Sequence, residues 1–220
     1  MLIDDIRDPL ILSLLVASVA TLVVGVVGGV LGRWLAVRQG GLSDIVDALA
    51  SLPLFLPPTV LGYYLTLLVG RQTPVGEFLS SFGVEFTFTW LGAALASGVV
   101  ALPLMVRSAR IAFEGISHEV EDSAALDGAG RFSRWRYILL PLARGGLAGG
   151  VVLAFARGIG EFGATLMLSG SIPGRTRTMP LAIYEAFTLG DDETAALLSV
   201  ILTAVSLVVV VLGLRLGRKR

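Results

Sequence analysis

The amino-acid sequence predicts an all-α integral membrane protein with five membrane-spanning helices. Its composition is the first reason: 55% of residues are hydrophobic, 15% are charged and the mean hydropathy is +0.83, whereas about a quarter of a soluble domain is charged. The second is the apolar pattern. A helix needs roughly 20 mostly apolar residues to cross a bilayer, and five stretches qualify, near residues 10–32, 45–69, 89–106, 146–168 and 194–214. The third is where the charges fall. The formal net charge is zero, so no clustered positive field points to nucleic acid, but position is informative.

Five spans put the two termini on opposite sides, and Lys/Arg excess marks the cytoplasmic flanks. One face collects twelve of them: Arg33, Arg38, Arg107, Arg110, Arg131, Arg134, Arg136, Arg144, Arg215, Arg218, Lys219 and Arg220. The other holds Arg7, Arg71, Arg175 and Arg177, while Arg157 falls inside the fourth span. The expected topology is N-terminus outside and C-terminus cytoplasmic. The first span is expected to remain in the mature protein, because Asp4, Asp5 and Asp8 outnumber Arg7 ahead of a long apolar run, unlike the positive start of a signal peptide.

The second span contains Pro53, Pro57 and Pro58, which remove backbone donors and bend a helix; a static kink and a cavity-lining break both fit. The first and fourth spans carry small residues four apart, at Gly25/Gly29, Gly28/Gly32, Gly145/Gly149 and Gly146/Gly150, a spacing that lets backbones approach. Packing within one subunit is preferred to a contact between copies. Arg157 and Glu161 are expected four residues apart on one helix face near mid-bilayer, where a lone charge is costly; a gate and a structural clasp are both open.

Between the third and fourth spans runs the longest polar connection, residues 107–144. Ala109, Ala112 and Ile116, then Val120, Ala124 and Ala125, have helical spacing before a break at Gly128 and Gly130. A surface helix ending in glycines suits a docking element. After the fourth span, Ser-Ile-Pro-Gly with Arg175 and Arg177 predicts a turn, followed by a short helix over 179–189 that would make a sixth span if it entered the membrane. Asp191, Asp192 and Glu193 favour the start of the last helix. The whole chain, 1–220, reads as one transmembrane domain.

Several chemistries are disfavoured. There is no cysteine and one histidine, His118, so a thiolate or multi-histidine metal site is not expected, and His118 is assigned no role. No serine, histidine and carboxylate set suggests a nucleophile, and no catalytic residue is assigned. Gly158, Gly160 and Gly163 spell G-x-G-x-x-G, but inside an apolar helix they lack the strand a dinucleotide site requires. No G-x-x-x-x-G-K-[ST] occurs, so an ATPase would be another polypeptide.

The segment Glu121-Asp-Ser-Ala-Ala-Leu-Asp-Gly128-Ala-Gly, followed by Arg134-Trp-Arg-Tyr-Ile-Leu-Leu-Pro141-Leu, resembles the coupling loop of permease subunits of binding-protein-dependent ABC importers. The family's Glu-Ala-Ala, three residues, then Gly is matched by Asp122, Ser123, Ala124 and Gly128, with Leu140-Pro141 beyond; the acid here is Asp and the first alanine Ser. Leu52 to Gly62, and Gly160 to Met167 continuing through Ile172 to Tyr184, look like the molybdate permeases, so the resemblance covers nearly the whole chain. It implies a type I ABC importer permease fold and a homodimer in membrane lipid. Two cytoplasmic ATPase subunits holding ATP and magnesium, and an extracytoplasmic oxyanion-binding protein, are the implied partners. It further implies that this chain binds no cofactor. Coupling would rest on Glu121, Asp122, Ser123, Ala124, Gly128, Leu140 and Pro141; the path or gate would involve Pro57, Pro58, Arg157, Glu161, Phe162 and Thr165. Sulfate and tungstate permeases share parts of these patterns, so the expected cargo is molybdate or tungstate with a sulfate/thiosulfate permease as the alternative, and a membrane-embedded enzyme using Arg157, Glu161 and Asp122 is the rival from another class. A passive channel would leave the long cytoplasmic loop without a task.

Overall fold

The computed structural model describes Leu2–Arg218, and every element in it is helical. Helix α1 (Leu2–Val37) is followed by α2 (Gly41–Ser51), α3 (Pro58–Val69), α4 (Pro74–Ser80) and α5 (Trp90–Glu114). The long connection carries α6 (His118–Leu126) and α7 (Arg131–Arg134), then come α8 (Leu140–Ile159), α9 (Gly163–Ser169), α10 (Met179–Thr188) and α11 (Asp192–Arg218).

Helix α5 is central, packing against α1, α8 and α9. Small residues make that possible. A Cβ on Gly28 would lie 2.8 Å from Met105, and one on Gly32 would lie 2.6 Å from Ala109 and 2.7 Å from the Val106 carbonyl oxygen. Equivalent positions on α8, Gly146 and Gly150, meet Ala112 and Ser108 at 2.5 and 2.8 Å. Two of the four glycine spacings therefore pack within the subunit, as preferred from the sequence. Gly145 and Gly149 have nothing within 4 Å of such a Cβ.

These contacts also give direction. Gly28 faces Met105 and Gly32 faces Ala109, so α1 and α5 run parallel; Gly146 faces Ala112 and Gly158 faces Ser97, so α8 runs antiparallel to α5. Leu198, early in α11, forms a buried cluster with Met179 and Ala182 of α10, against which Ile6 and Leu10 of α1 pack. The arginines at the ends of α1 and α5 and those from 131 to 144 thus share one end of the bundle. Outward faces such as Leu22, Val26 and Val200, each at least 67% exposed, suit lipid.

Two predicted spans are broken. The second bends by 115° between Leu54 and Pro58: a 3₁₀ turn at Leu52–Leu54 ends α2, neither Pro57 nor Pro58 has an N–H to continue it, and Pro58 opens α3 at the position where proline is best tolerated. The fourth, expected as one helix over 146–168, is a correction. Its helix starts earlier and stops at Ile159; a new one begins at Gly163. The glycines of the G-x-G-x-x-G pattern flank this break rather than lying in an uninterrupted helix, and among the described residues no strand precedes them. A sixth span is not formed: α10, with 10 residues, is about 15 Å long, half the hydrocarbon thickness. It follows a turn at 173–176, in the order the sequence predicts. His118 opens α6, and its side chain lies outside the described residues, as do the structures of Lys219 and Arg220.

Candidate functional site: a connecting helix and a crossing of broken spans

Helix α6 ends in a Schellman motif. The Gly128 N–H donates to the Ala125 carbonyl at 3.1 Å and the Ala129 N–H to that of Ala124 at 3.0 Å, with Gly128 at φ +83°, a backbone state that costs a side chain energy. Asp122, Ser123 and Gly128 are exposed and Ala124 half-buried. Beside them stand Leu126 at 90% and Phe132 at 76% exposed. This is an unusual amount of apolar surface for a polar connection, and it surrounds the motif residues.

The run from Arg131 to Ile159 is continuous but locally widened at Trp135–Leu139, where the Leu140 N–H reaches the Trp135 carbonyl across five residues. Pro141 explains the position: its ring cannot fit the preceding turn of a regular α-helix, and a widened turn relieves the clash. Leu140 and Pro141 therefore lie inside a helix rather than in the loop.

Among the acids of α6, Glu121 finds a partner. The Arg33 Nη2 donates to its Oε1 at 2.6 Å, and the Arg33 guanidinium lies 5.5 Å from the centre of the Phe113 ring, which stacks on Trp135 at 5.6 Å. Sequence reasoning counted Arg33 only as a topology signal, gave Trp135 no role beyond its place in the family-like segment, and did not single out Phe113. At the same end, Arg110 donates to Asp47 of α2 and to Glu114, each at 2.7 Å.

The two broken spans meet at their breaks. A Cβ on Gly62 of α3 would lie 2.6 Å from the Met167 Cβ and 2.9 Å from the Ala164 carbonyl oxygen. One on Gly163 would lie 3.0 Å from the Pro58 Cβ. Glu161 sits in the gap between α8 and α9, not on a helix face shared with Arg157, which corrects the expected geometry although the two still pair. The Arg157 Nη1 donates to Glu161 Oε2 at 2.9 Å, with side-chain exposures of 34% and 1%. The other carboxylate oxygen accepts the Ala164 N–H at 2.9 Å, capping α9 and supplying charge where the helix dipole favours it. Phe162 packs its ring 5.0 Å from that of Tyr184. Pro57 and Pro58 are exposed, whereas Thr165 is fully buried with its hydroxyl unpartnered and faces no open path in this conformation. Asp122 is remote in the fold from this crossing, on the connection near the opposite end of α8. Pro57, Pro58, Arg157, Glu161 and Phe162 are gathered; the enzyme-like set that would include Asp122 is not.

The model of the family described as the binding-protein-dependent transport system inner membrane component matches residues 28–220. The chain belongs to this family. The Escherichia coli molybdenum transport system permease protein ModB is 41% identical over 99% of this chain and 96% of that protein. The putative molybdenum permease YvgM of Bacillus subtilis is 39% identical over 87% and 85%. Among solved structures, an inward-facing form of the MetNI methionine ABC transporter superposes with a TM-score of 0.75 at 18% identity, covering 97% of this chain and 94% of that one. A bacterial alginate ABC transporter bound to its periplasmic protein gives the same TM-score at 18% identity, covering 97% and 78%. The permease thus has the type I ABC importer fold, and it is a multi-pass transport subunit working with ABC partners rather than an enzyme.

Proposed function

We propose that this permease carries molybdate, or the closely related tungstate, through the cytoplasmic membrane by alternating access. The observation that carries the reading is the near full-length identity of 41% to a molybdenum permease; a sulfate or thiosulfate permease is the alternative within the family. Two copies form the path between them, with the C-terminus and the α6–α7 connection in the cytoplasm. A cytoplasmic ATPase docks on each connection, with Asp122, Ser123, Ala124 and the Gly128 turn at the contact and Leu126 and Phe132 filling its groove. Closure of the ATPases draws the connections together and tilts the spans; an external binding protein delivers the anion.

The crossing of broken helices suits a gate. Its backbone is already interrupted, so the halves can shift without breaking regular hydrogen bonds. Pro57, Pro58 and Phe162 border it. Arg157 supplies positive charge near the path, but Glu161 compensates it, which disfavours tight trapping of a dianion and leaves selectivity to the binding protein. Thr165 would join the path only after a rearrangement that exposes it. This chain binds no nucleotide; ATP and magnesium belong to the partner.

The test is ATP hydrolysis by the purified permease–ATPase complex in nanodiscs, with its binding protein loaded with molybdate or sulfate. Stimulation by molybdate alone, abolished by Gly128→Asp, is the expected result. Equal stimulation by sulfate would overturn the anion assignment, and unaltered stimulation in Gly128→Asp would overturn the docking role of the turn.

A further inference from the structure

Helix α6 has little to hold it. None of Glu119–Leu126 is buried, and in the described residues its packing is mainly to the neighbouring α7. A nine-residue helix with an almost fully solvated surface cannot take its orientation from apolar burial, because helix stability in proteins comes mostly from packing an apolar face. A fixed orientation needs another source, and one contact spans 88 residues of sequence to provide it: Arg33 to Glu121 at 2.6 Å.

That contact is placed to be stiff at the bundle end. Gly32 brings the α1 backbone within van der Waals reach of Ala109 and Val106 on α5, so the next residue, Arg33, leaves α1 in a set register. Its guanidinium has the Glu121 carboxylate as one partner and the Phe113 ring as another. Phe113 is 2% exposed and stacks on Trp135, which starts the widened turn ahead of α8. The two charged side chains are 18% and 21% exposed, shielded enough that solvent and salt weaken them less than an open surface pair. A planar, permanently charged guanidinium fits both the carboxylate and the aromatic face; a lysine ammonium does not reproduce this.

We infer that Arg33 is a positioning residue for energy coupling: it clasps α6 to α1 through Glu121 and the Phe113–Trp135 stack, so that displacement of α6 moves the α1–α5 pair directly. The inference rests on the coupling role proposed above for α6. Without the clasp, α6 would be joined to the spans through the short connections at its two ends, and a push on it would reach α1 and α5 only indirectly.

The chain contains no cysteine, so two can be introduced at exposed positions, Val37→Cys on α1 and Ala125→Cys on α6, and spin-labelled in nanodiscs. A narrow distance distribution is expected in the otherwise unaltered chain. Arg33→Met and Glu121→Gln should each broaden it, and the charge exchange Arg33→Glu with Glu121→Arg should narrow it again, which a general folding defect would not do. In the complex with the partner ATPase, Arg33→Met should reduce the ratio of binding-protein-stimulated to unstimulated hydrolysis several-fold while the ATPase still co-purifies. An unchanged distribution in both single variants would overturn the clasp. A broadened distribution with full stimulation would overturn its part in coupling. Failure of the unaltered chain to bind any ATPase would instead overturn the proposed function, and the distances measured on the chain alone would still decide the clasp.

Discussion

Glu161 shows how one side chain can serve two elements. One oxygen accepts the Ala164 amide in the first turn of α9 and the other holds Arg157, at a depth where either group alone would be costly. Replacing it by Gln retains an oxygen for the Ala164 amide and removes only the charge, leaving Arg157 without its partner. Loss of one member of a fully buried pair costs about 3–5 kcal/mol; with Arg157 a third exposed, about 2 kcal/mol is expected. Thermal unfolding in detergent would show Glu161→Gln less stable than Arg157→Met with Glu161→Gln together. Equal stability of the two would mean that the charge interaction contributes nothing. The four-residue spacing made this pair legible from sequence alone, but not its geometry: hydropathy reads Ile159 through Leu166 as one apolar run and is blind to a carboxylate that terminates one helix by capping the next.

Among the elements, the crossing of α3 over α9 depends on the absence of a side chain at Gly62. An added methyl meets the Met167 Cβ at 2.6 Å and backbone of Ala164 at 2.9 Å, neither of which can rotate away. Gly62→Ala is therefore expected to destabilise the fold by about 1–3 kcal/mol, despite alanine's better helix propensity. Gly145→Ala, which meets nothing within 4 Å, is expected to leave the melting temperature of the detergent-solubilised chain unchanged or slightly raised. A comparable loss at both positions would sink the argument from close approach. The i, i+4 glycine spacing announced that helices come close, yet could not say which stripe is covered. Gly28/Gly32 and Gly146/Gly150 face α5 while Gly145/Gly149 does not, a distinction set by helix rotation, which depends on all the neighbours together.

Across the whole molecule, the alternation of parallel and antiparallel spans puts the residue-33, residue-110 and residue-121 ends on one side, with α4 and the loop before α5 at the opposite end. Labelling of single cysteines by a membrane-impermeant maleimide in intact cells tests the direction: Ser81→Cys is expected to react, and Val37→Cys and Ala125→Cys only after permeabilisation. The reverse pattern would overturn the orientation. By itself the sequence determined the membrane class, the apolar stretches long enough to cross a bilayer, the capped helix in the long connection and the family resemblance, because these follow from local quantities: apolar length, charge position, proline and glycine placement, and motif spacing. Only the tertiary structure decided that the fourth span is broken at Glu161, that the two breaks meet at Gly62 and Gly163, and that Arg33 reaches Glu121. Each of these depends on residues far apart in the chain being brought together by packing, and no local period or propensity encodes which distant partner a side chain will meet.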